Sequence, residues 1–229
     1  MKGWDNMDEL VPAFESSLFE TSITDVGIEF AELGIDSILS DGVLKDIPIV
    51  GTIVGVGKLA HNVHDRNLLR QTLTFIKEFN RSSINSGKIE KYRKKLHDSP
   101  QKLEEELGRV LILLDQNVDT IKSTFEARFY VAYVDEKISW DTFCELCDIT
   151  DRLFISDIAN LREAYENKGV TINAGISYKH DRLNSVGLLE SDTRITGGLV
   201  FVDIEEEKKR TYMKLTIIGE LFCKIAFDL

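Results

Sequence analysis

Apolar residues recur every three or four positions along most of the chain, which is the spacing of one face of an α-helix. The first run begins at Phe19 and Ile23 and predicts an amphipathic helix from Phe19 to Leu39. A second helix is predicted to begin at Asp46-Ile47-Pro48, because Asp46 fits the capping position and proline fits a first helical turn. Its apolar positions continue to about Phe79.

The middle of the chain predicts a series of further helices. Asn85-Ser86-Gly87 indicates a break, and Ser99-Pro100 indicates another helix start, followed by three acidic residues in the early turns. Helices are expected over 88–95, from Ser99-Pro100 to at least Leu114, and over 118–134, 141–149 and 156–167.

The last third differs, because strand-like runs interrupt the helices. A short amphipathic helix is predicted from Ile176 to Gly187. The runs Gly198–Ile204 and Arg210–Thr216 predict two strands, and the charged residues 205–209 between them predict a hairpin turn. A final helix is predicted over Ile217–Phe227.

Two phrases in this region carry a resemblance to a known fold. Val186-Gly-Leu-Leu-Glu190 and Tyr212-x-x-Leu215-Thr-x-x-Gly219-Glu-Leu221 resemble the winged-helix domains of MarR-like and PadR-like bacterial regulators. The resemblance covers about Asp151–Leu229. It implies that the 198–216 hairpin is the wing. The preceding two thirds are similar to uncharacterised prokaryotic helical proteins with an Ile47-Pro-Ile-Val-Gly-like segment.

These patterns together predict a mainly α fold in two domains. Residues 1–150 are expected to form a helical bundle with a central apolar, glycine-rich helix. Residues 151–229 are expected to form a winged-helix-like α+β module with a small β-hairpin.

Charge is distributed unevenly over the chain. The net charge is −11, but residues 1–65 hold 12 acids and 3 bases, whereas residues 66–102 hold 10 bases and 3 acids. We expect the acidic block to pair with the basic block within the chain; an acidic partner on the basic block is the alternative. Residues 145–229 hold 15 acids and 11 bases, which weakens the case for DNA binding by the winged-helix-like module.

Local clusters of cations are nevertheless candidate contacts for a nucleic acid or another partner. One set lies in the winged-helix-like module and the other in the basic helix of the bundle. The candidates are Lys179, Arg182, Lys208, Lys209, Arg210, Lys91, Lys94 and Lys95.

Ile47–Ala60 is a run of 14 residues with a single charge. A membrane-spanning helix needs about 20 apolar residues, so a central buried helix is the first interpretation. The alternative is a segment that enters a membrane upon activation through Ile49, Val50, Ile53 and Val54.

The motifs that could indicate catalysis or cofactor binding each lack a required residue or spacing. Gly51 to Leu59 lacks the spacing of a phosphate-binding loop and its Ser/Thr. Cys144 and Cys147, three apart on a helix, are expected to pack, and His61 with His64 has no spaced third metal ligand. The odd cysteine count and the acidic N-terminus, without a signal-peptide pattern, predict a cytoplasmic location. We expect no enzyme activity, no metal and no cofactor.

Three functional classes remain. The first is a regulatory or protein-interaction protein of prokaryotic type that docks another protein or a second copy of itself, as a homo-oligomer or complex subunit. The second is a DNA-binding transcriptional regulator. The third is a membrane-active effector of a bacterial defence or toxin system that exposes residues 47–60.

Overall fold

The computed structural model describes residues 7–20, 46–56, 63–173, 178–192 and 210–228. Contacts divide the chain into two units, Met1–Cys147 and Asp148–Leu229. The division falls inside a helix, Trp140–Arg152, close to the boundary expected at residue 150. The chain is mainly helical with a small antiparallel sheet towards its C-terminus, so the predicted fold class is confirmed.

The described part of the N-terminal unit is helical. Its helices are α1 (Met7–Phe19), α2 (Pro48–Val56), α3 (Val63–Arg81), α4 (Ser86–His97), α5 (Pro100–Gln116), α6 (Thr120–Val134) and the beginning of α7 (Trp140–Arg152). The chain was expected to continue as one helix from about residue 46 to Phe79, but α2 ends at Val56 and α3 begins at Val63. Most of the predicted helix from Phe19 to Leu39 lies outside the described residues.

Helix α6 is the element enclosed by the N-terminal unit. All six consecutive residues from Phe129 to Val134 are buried, and Tyr133 is the most exposed of them at 9%. It packs along α3, and Tyr130 contacts Phe75 and Phe79 with ring centroids 5.6 and 5.9 Å apart. Aromatic side chains bury large apolar areas, so this cluster contributes strongly to the core.

Helix α2 is buried on one side only, which differs from the central buried helix that was expected. Ile49 and Val50 are buried, and the Ile49 backbone amide donates to Ser17 Oγ of α1 at 2.9 Å. Gly51 and Gly55 are exposed. Because glycines occupy the exposed side of α2, its sequence is apolar throughout, although only the other side is buried in the described part of the chain.

Part of the expected charge pairing between the first two blocks is present. Arg93 of α4 donates to Glu20 at 2.6 Å, and His97 Nε2 lies 2.9 Å from Glu15 Oε1. These pairs join α4 to the end of α1. Other bases of α4 pair elsewhere, as described below for the lysines.

The C-terminal unit alternates helices and strands. After α7 come a short 3₁₀ helix (Ile155–Asp157), α8 (Ile158–Glu166), β1 (Val170–Asn173), α9 (Tyr178–Ser185), β2 (Leu189–Asp192), β3 (Arg210–Leu215) and α10 (Ile217–Asp228). The strands form an antiparallel sheet in the order β1-β3-β2, with Val170 opposite Met213 and Leu189 opposite Leu215.

The two winged-helix-like phrases meet at the start of α10. Thr216 Oγ1 accepts from the Gly219 amide at 2.9 Å, as a helix cap does, and itself donates to the Gly187 carbonyl at 2.5 Å. The Thr216 amide donates to the Leu188 carbonyl at 3.1 Å. One threonine therefore starts the final helix and fixes it to the turn before β2.

The strands show where the sequence interpretation was incomplete. β3 matches the second predicted strand. The first predicted strand and the hairpin turn, which together are residues 198–209, lie outside the described residues. β1 and β2 were not predicted, and the helix predicted to end at Gly187 ends at Ser185. Apolar positions of the predicted winged-helix-like module contribute to its core: Leu183, Leu188 and Leu215 are buried and Leu221 is half-buried, while Leu199 and Phe201 are not described.

Candidate functional site

An exposed group of aromatic residues lies at the start of the C-terminal unit. Phe154 and Tyr178 are 54% and 60% exposed, and Ile155 beside Phe154 is 39% exposed. The Arg182 guanidinium carbon lies 4.2 Å from the Phe154 ring centroid and 5.1 Å from that of Tyr178. We call Phe154, Ile155, Tyr178 and Arg182 the aromatic surface.

A buried carboxylate holds Arg182 in this position. Asp157 is 1% exposed, and Arg182 donates to both of its oxygens, from Nε at 2.8 Å and from Nη2. The hydrogen bond with Asp157 raises the pKa of Arg182. A bidentate pair of this kind fixes the guanidinium plane and neutralises its charge. Arg182 is thus fixed between two rings, with its charge balanced by Asp157.

Of the other candidate cations of this unit, Lys179 lies beside Arg182, because both contact Ser156. Lys179 Nζ donates to the Ser156 carbonyl at 3.2 Å. Arg210 begins β3 opposite Asn173, and Lys208 and Lys209 are outside the described residues.

Helix α9 also contains a buried histidine. His180 is 7% exposed, and neither ring nitrogen has a hydrogen-bond partner in the described part of the chain. It lies two residues from Tyr178 and two from Arg182, on the helix that carries most of the aromatic surface.

A cleft of about 920 Å³ lies in the N-terminal unit, between α4, the start of α5 and the turn from α6 to α7. Tyr133 and Trp140 line it, with ring centroids 5.2 Å apart. The cations that line this lysine cleft are Lys88, Lys91, Lys95, Lys102 and Lys137.

Three of these lysines bind the turn after α6. Lys88 and Lys137 contact Asp135 at 2.8 and 2.9 Å, and Lys91 contacts Glu136 at 2.7 Å. The hydrogen bonds from Lys88 and Lys137 lower the pKa of Asp135, and that from Lys91 lowers the pKa of Glu136. Lys88 and Lys91 therefore hold α4 to the end of α6, and Lys137 pairs within the turn itself.

The inner side of the cleft contains a buried carboxylate bound by tyrosines. Glu106 is 3% exposed and accepts hydrogen bonds from Tyr92 at 2.5 Å and Tyr133 at 2.9 Å. The Tyr92 and Tyr130 hydroxyls lie 2.8 Å apart. Burial, followed by the neighbouring Tyr130 and Glu106, raises the pKa of Tyr92, and burial also raises the pKa of Tyr130 and Tyr133. These hydroxyls therefore keep their protons; those of Tyr92 and Tyr133 donate to Glu106, and that of Tyr130 contacts the Tyr92 hydroxyl.

The remaining candidates of α4 separate into two positions. Lys95 lines the cleft, with its amino group 6.0 Å from the Tyr133 ring centroid. Lys94 is exposed and lines a different concavity with Arg93 and His97. Lys91 borders both.

The candidate membrane-active residues lie mostly on the buried side of α2. Ile49, Val50 and Ile53 are buried, and Val54 is half-buried. Among the described helices, none is both long and apolar enough to cross a membrane.

The described residues that were considered for metal and redox chemistry are two cysteines of α7 and a histidine of α3. Cys144 is half-buried, Cys147 is buried, and both are free thiols. His64 Nε2 lies 3.0 Å from Asp115, while His61 is not described. Within the described ranges, no three His, Cys, Asp or Glu side chains are grouped as a metal site would require.

Sequence analysis did not identify Phe154 and Tyr178 of the aromatic surface or Glu106 of the lysine cleft. Phe154 precedes the short 3₁₀ helix and Tyr178 is the first residue of α9, positions at which the helical period does not indicate whether an aromatic side chain is exposed. Glu106 was interpreted as one of the charged residues at a helix start. It lies on the same helix face as Leu103 and beside Leu107, and it is buried.

The chain matches no protein-family model, no curated protein and no solved structure.

Proposed function

We propose that this chain is a non-enzymatic regulatory protein of prokaryotic type whose C-terminal unit docks a protein through the aromatic surface. The observation that carries the proposal is the exposure of Phe154 and Tyr178 on either side of an immobilised Arg182. Aromatic residues and arginine are the residue types that dominate binding energy at protein interfaces.

The charge of Arg182 favours a protein over DNA as the partner. Nucleic-acid affinity comes largely from cations that neutralise phosphates, but Arg182 is already paired with Asp157. The unit also carries more acids than bases. We infer that the partner presents an apolar patch with little negative charge, which would pack on the Phe154 and Tyr178 rings.

The arrangement of the unit supports the winged-helix part of the proposal. Helix α9 precedes an antiparallel sheet ordered β1-β3-β2, and α10 follows β3. The contact of Thr216 with the Gly187 carbonyl connects the two phrases on which the resemblance rests. In this proposal α9, which carries Tyr178 and Arg182, is the helix that faces the partner.

A titration with random-sequence duplex DNA at low salt separates protein docking from the DNA-binding alternative. We expect binding weaker than about 100 μM even at low salt, whereas non-specific DNA binders reach about 1–100 μM already at physiological salt. Micromolar binding that weakens steeply with salt and is lost in Lys179→Glu would contradict the proposal. Loss in Lys94→Glu alone would instead assign the DNA contact to α4.

Self-association tests whether the partner is a second copy of the chain. Sedimentation of the full chain is compared with a Phe154→Ser, Tyr178→Ser double variant, since both side chains are exposed and their replacement leaves the core intact. A dimer that the double variant loses identifies a second copy as the partner. A dimer that persists in the double variant contradicts the assignment of this surface as the interface.

A further inference from the structure

The lysine cleft is lined by five lysines and three carboxylates, Glu105, Glu106 and Glu136, so its lining carries an excess of positive charge. Helix α4 places Lys88, Lys91 and Lys95 on one face, because they are spaced by three and four residues. Lys102, in the first turn of α5, lines the same cleft. Lys88 and Lys91 are engaged by the turn after α6, which leaves Lys95 and Lys102 as the cations to account for.

Lys95 and Lys102 lie beside each other. In the described part of the chain Lys95 makes no ion pair, and the only ion pair of Lys102 is with Glu106 at 3.3 Å. Glu106 already accepts hydrogen bonds from Tyr92 and Tyr133. Contact with the Lys102 amino group, followed by partial desolvation, lowers the pKa of Lys95. Two like charges held together at a cleft are stabilised when an anion binds between them.

The size and lining of the cleft indicate what kind of anion fits. A volume of about 920 Å³ is in the range of small-molecule and cofactor sites. Tyr133 and Trp140 supply an aromatic side, and Ser99 and Gln101 supply polar groups at the rim.

We propose that the lysine cleft binds a nucleoside polyphosphate, with phosphate oxygens between Lys95 and Lys102 and the base against Tyr133 and Trp140. Ammonium groups bind phosphate as compact point charges, and aromatic side chains stack on bases of any sequence. Inorganic polyphosphate shares the charged part of this chemistry and lacks the base. The proposal concerns the N-terminal unit and is independent of protein docking by the C-terminal unit.

Tryptophan fluorescence gives a direct assay. The chain has two tryptophans, so a Trp4→Phe variant leaves Trp140, which lines the cleft, as the only reporter. Adenosine triphosphate, inorganic tripolyphosphate and adenosine are titrated separately into the full chain. We expect saturable binding of the nucleotide that weakens with salt, binding of tripolyphosphate about tenfold weaker, and no saturation by adenosine.

Two neighbouring lysines provide matched variants. Lys95→Gln is expected to weaken nucleotide binding about tenfold, whereas Lys94→Gln, an equal charge change on the same helix outside the cleft, should change it less than twofold. Lys95→Arg should retain most of the affinity, and melting curves check that each variant is folded.

Four results would overturn the proposal. They are the absence of saturation by the nucleotide, equal losses in Lys94→Gln and Lys95→Gln, saturation by adenosine as tight as by the nucleotide, and equal affinities for nucleotide and tripolyphosphate. The last of these removes the base from the proposed site and leaves a polyphosphate site. Neither the DNA titration nor the sedimentation experiment depends on these outcomes.

Discussion

Gly219→Ala is expected to destabilise the C-terminal unit by about 3 kcal/mol. A Cβ at this position would lie 2.1 Å from the Leu188 carbonyl oxygen and 3.1 Å from Leu215 Cδ2. The obstructing atom is backbone and also accepts from the Thr216 amide, so the start of α10 or the turn before β2 would have to move. Chemical denaturation of wild type and variant measures the change.

Gly187→Ala is the matched control for this prediction. Gly187 has a φ of +81°, but a Cβ there would meet nothing within 4 Å. The cost is then only that of a left-handed backbone for alanine, about 1 kcal/mol. If the two variants were equally stable, close approach at Gly219 would not be the reason for a glycine in the Leu-Thr-x-x-Gly phrase.

Glu106→Leu is expected to destabilise the N-terminal unit by about 3 kcal/mol, because hydrogen bonds to a charged acceptor contribute about 1.5–3 kcal/mol each. The substitution leaves the Tyr133 hydroxyl without its acceptor, while the Tyr92 hydroxyl keeps its contact with Tyr130. Removing a buried carboxylate also relieves its desolvation, which offsets part of the loss. Leucine fills the space, so a cavity does not contribute.

Glu105→Gln is the control for Glu106, since Glu105 is the exposed neighbour on the same helix. We expect it to change the free energy of unfolding by less than about 0.5 kcal/mol. Glu106→Gln keeps an oxygen acceptor and should fall between wild type and Glu106→Leu. A Glu106→Leu protein as stable as wild type would show that the tyrosine–carboxylate cluster adds nothing to stability.

The helices were predictable because their apolar spacing is set locally. Ser139, for example, immediately precedes α7, and its hydroxyl accepts from the Thr142 amide at 3.1 Å, as a helix cap does. Which helix would be central was not predictable in the same way. The segment at residues 47–60 is the most continuously apolar by sequence, but α6 is enclosed although it contains Ser123 and Glu126.

Helix α6 can be enclosed because its polar groups are paired within the core. Ser123 donates to Gln71 of α3 at 2.8 Å, and Asn117 donates to Glu126 at 2.7 Å. A buried polar group costs little once it is hydrogen-bonded, but the partners come from distant sequence positions. A periodic pattern contains no information about such partners.

The short strands β1 and β2 depend on pairing with β3. Each has four residues, too few to show an alternation that distinguishes a strand from a helix end. Leu189 continues an apolar helical pattern by sequence, although Gly187, with its positive φ, has already ended the helix. The candidate sites were missed for a related reason, since exposure of Phe154 and burial of Glu106 are set by tertiary packing.

Site-specific photocrosslinking tests protein docking by the aromatic surface most directly. A photoreactive phenylalanine analogue replaces Tyr178 in the full chain, in its native cells, and the same analogue at the exposed Lys224 of α10 serves as the control position. We expect a discrete protein adduct from position 178 that is absent from position 224 and lost in Phe154→Ser. Nucleic-acid adducts from position 178, no adduct, or an adduct unaffected by Phe154→Ser would contradict docking of a protein on this surface.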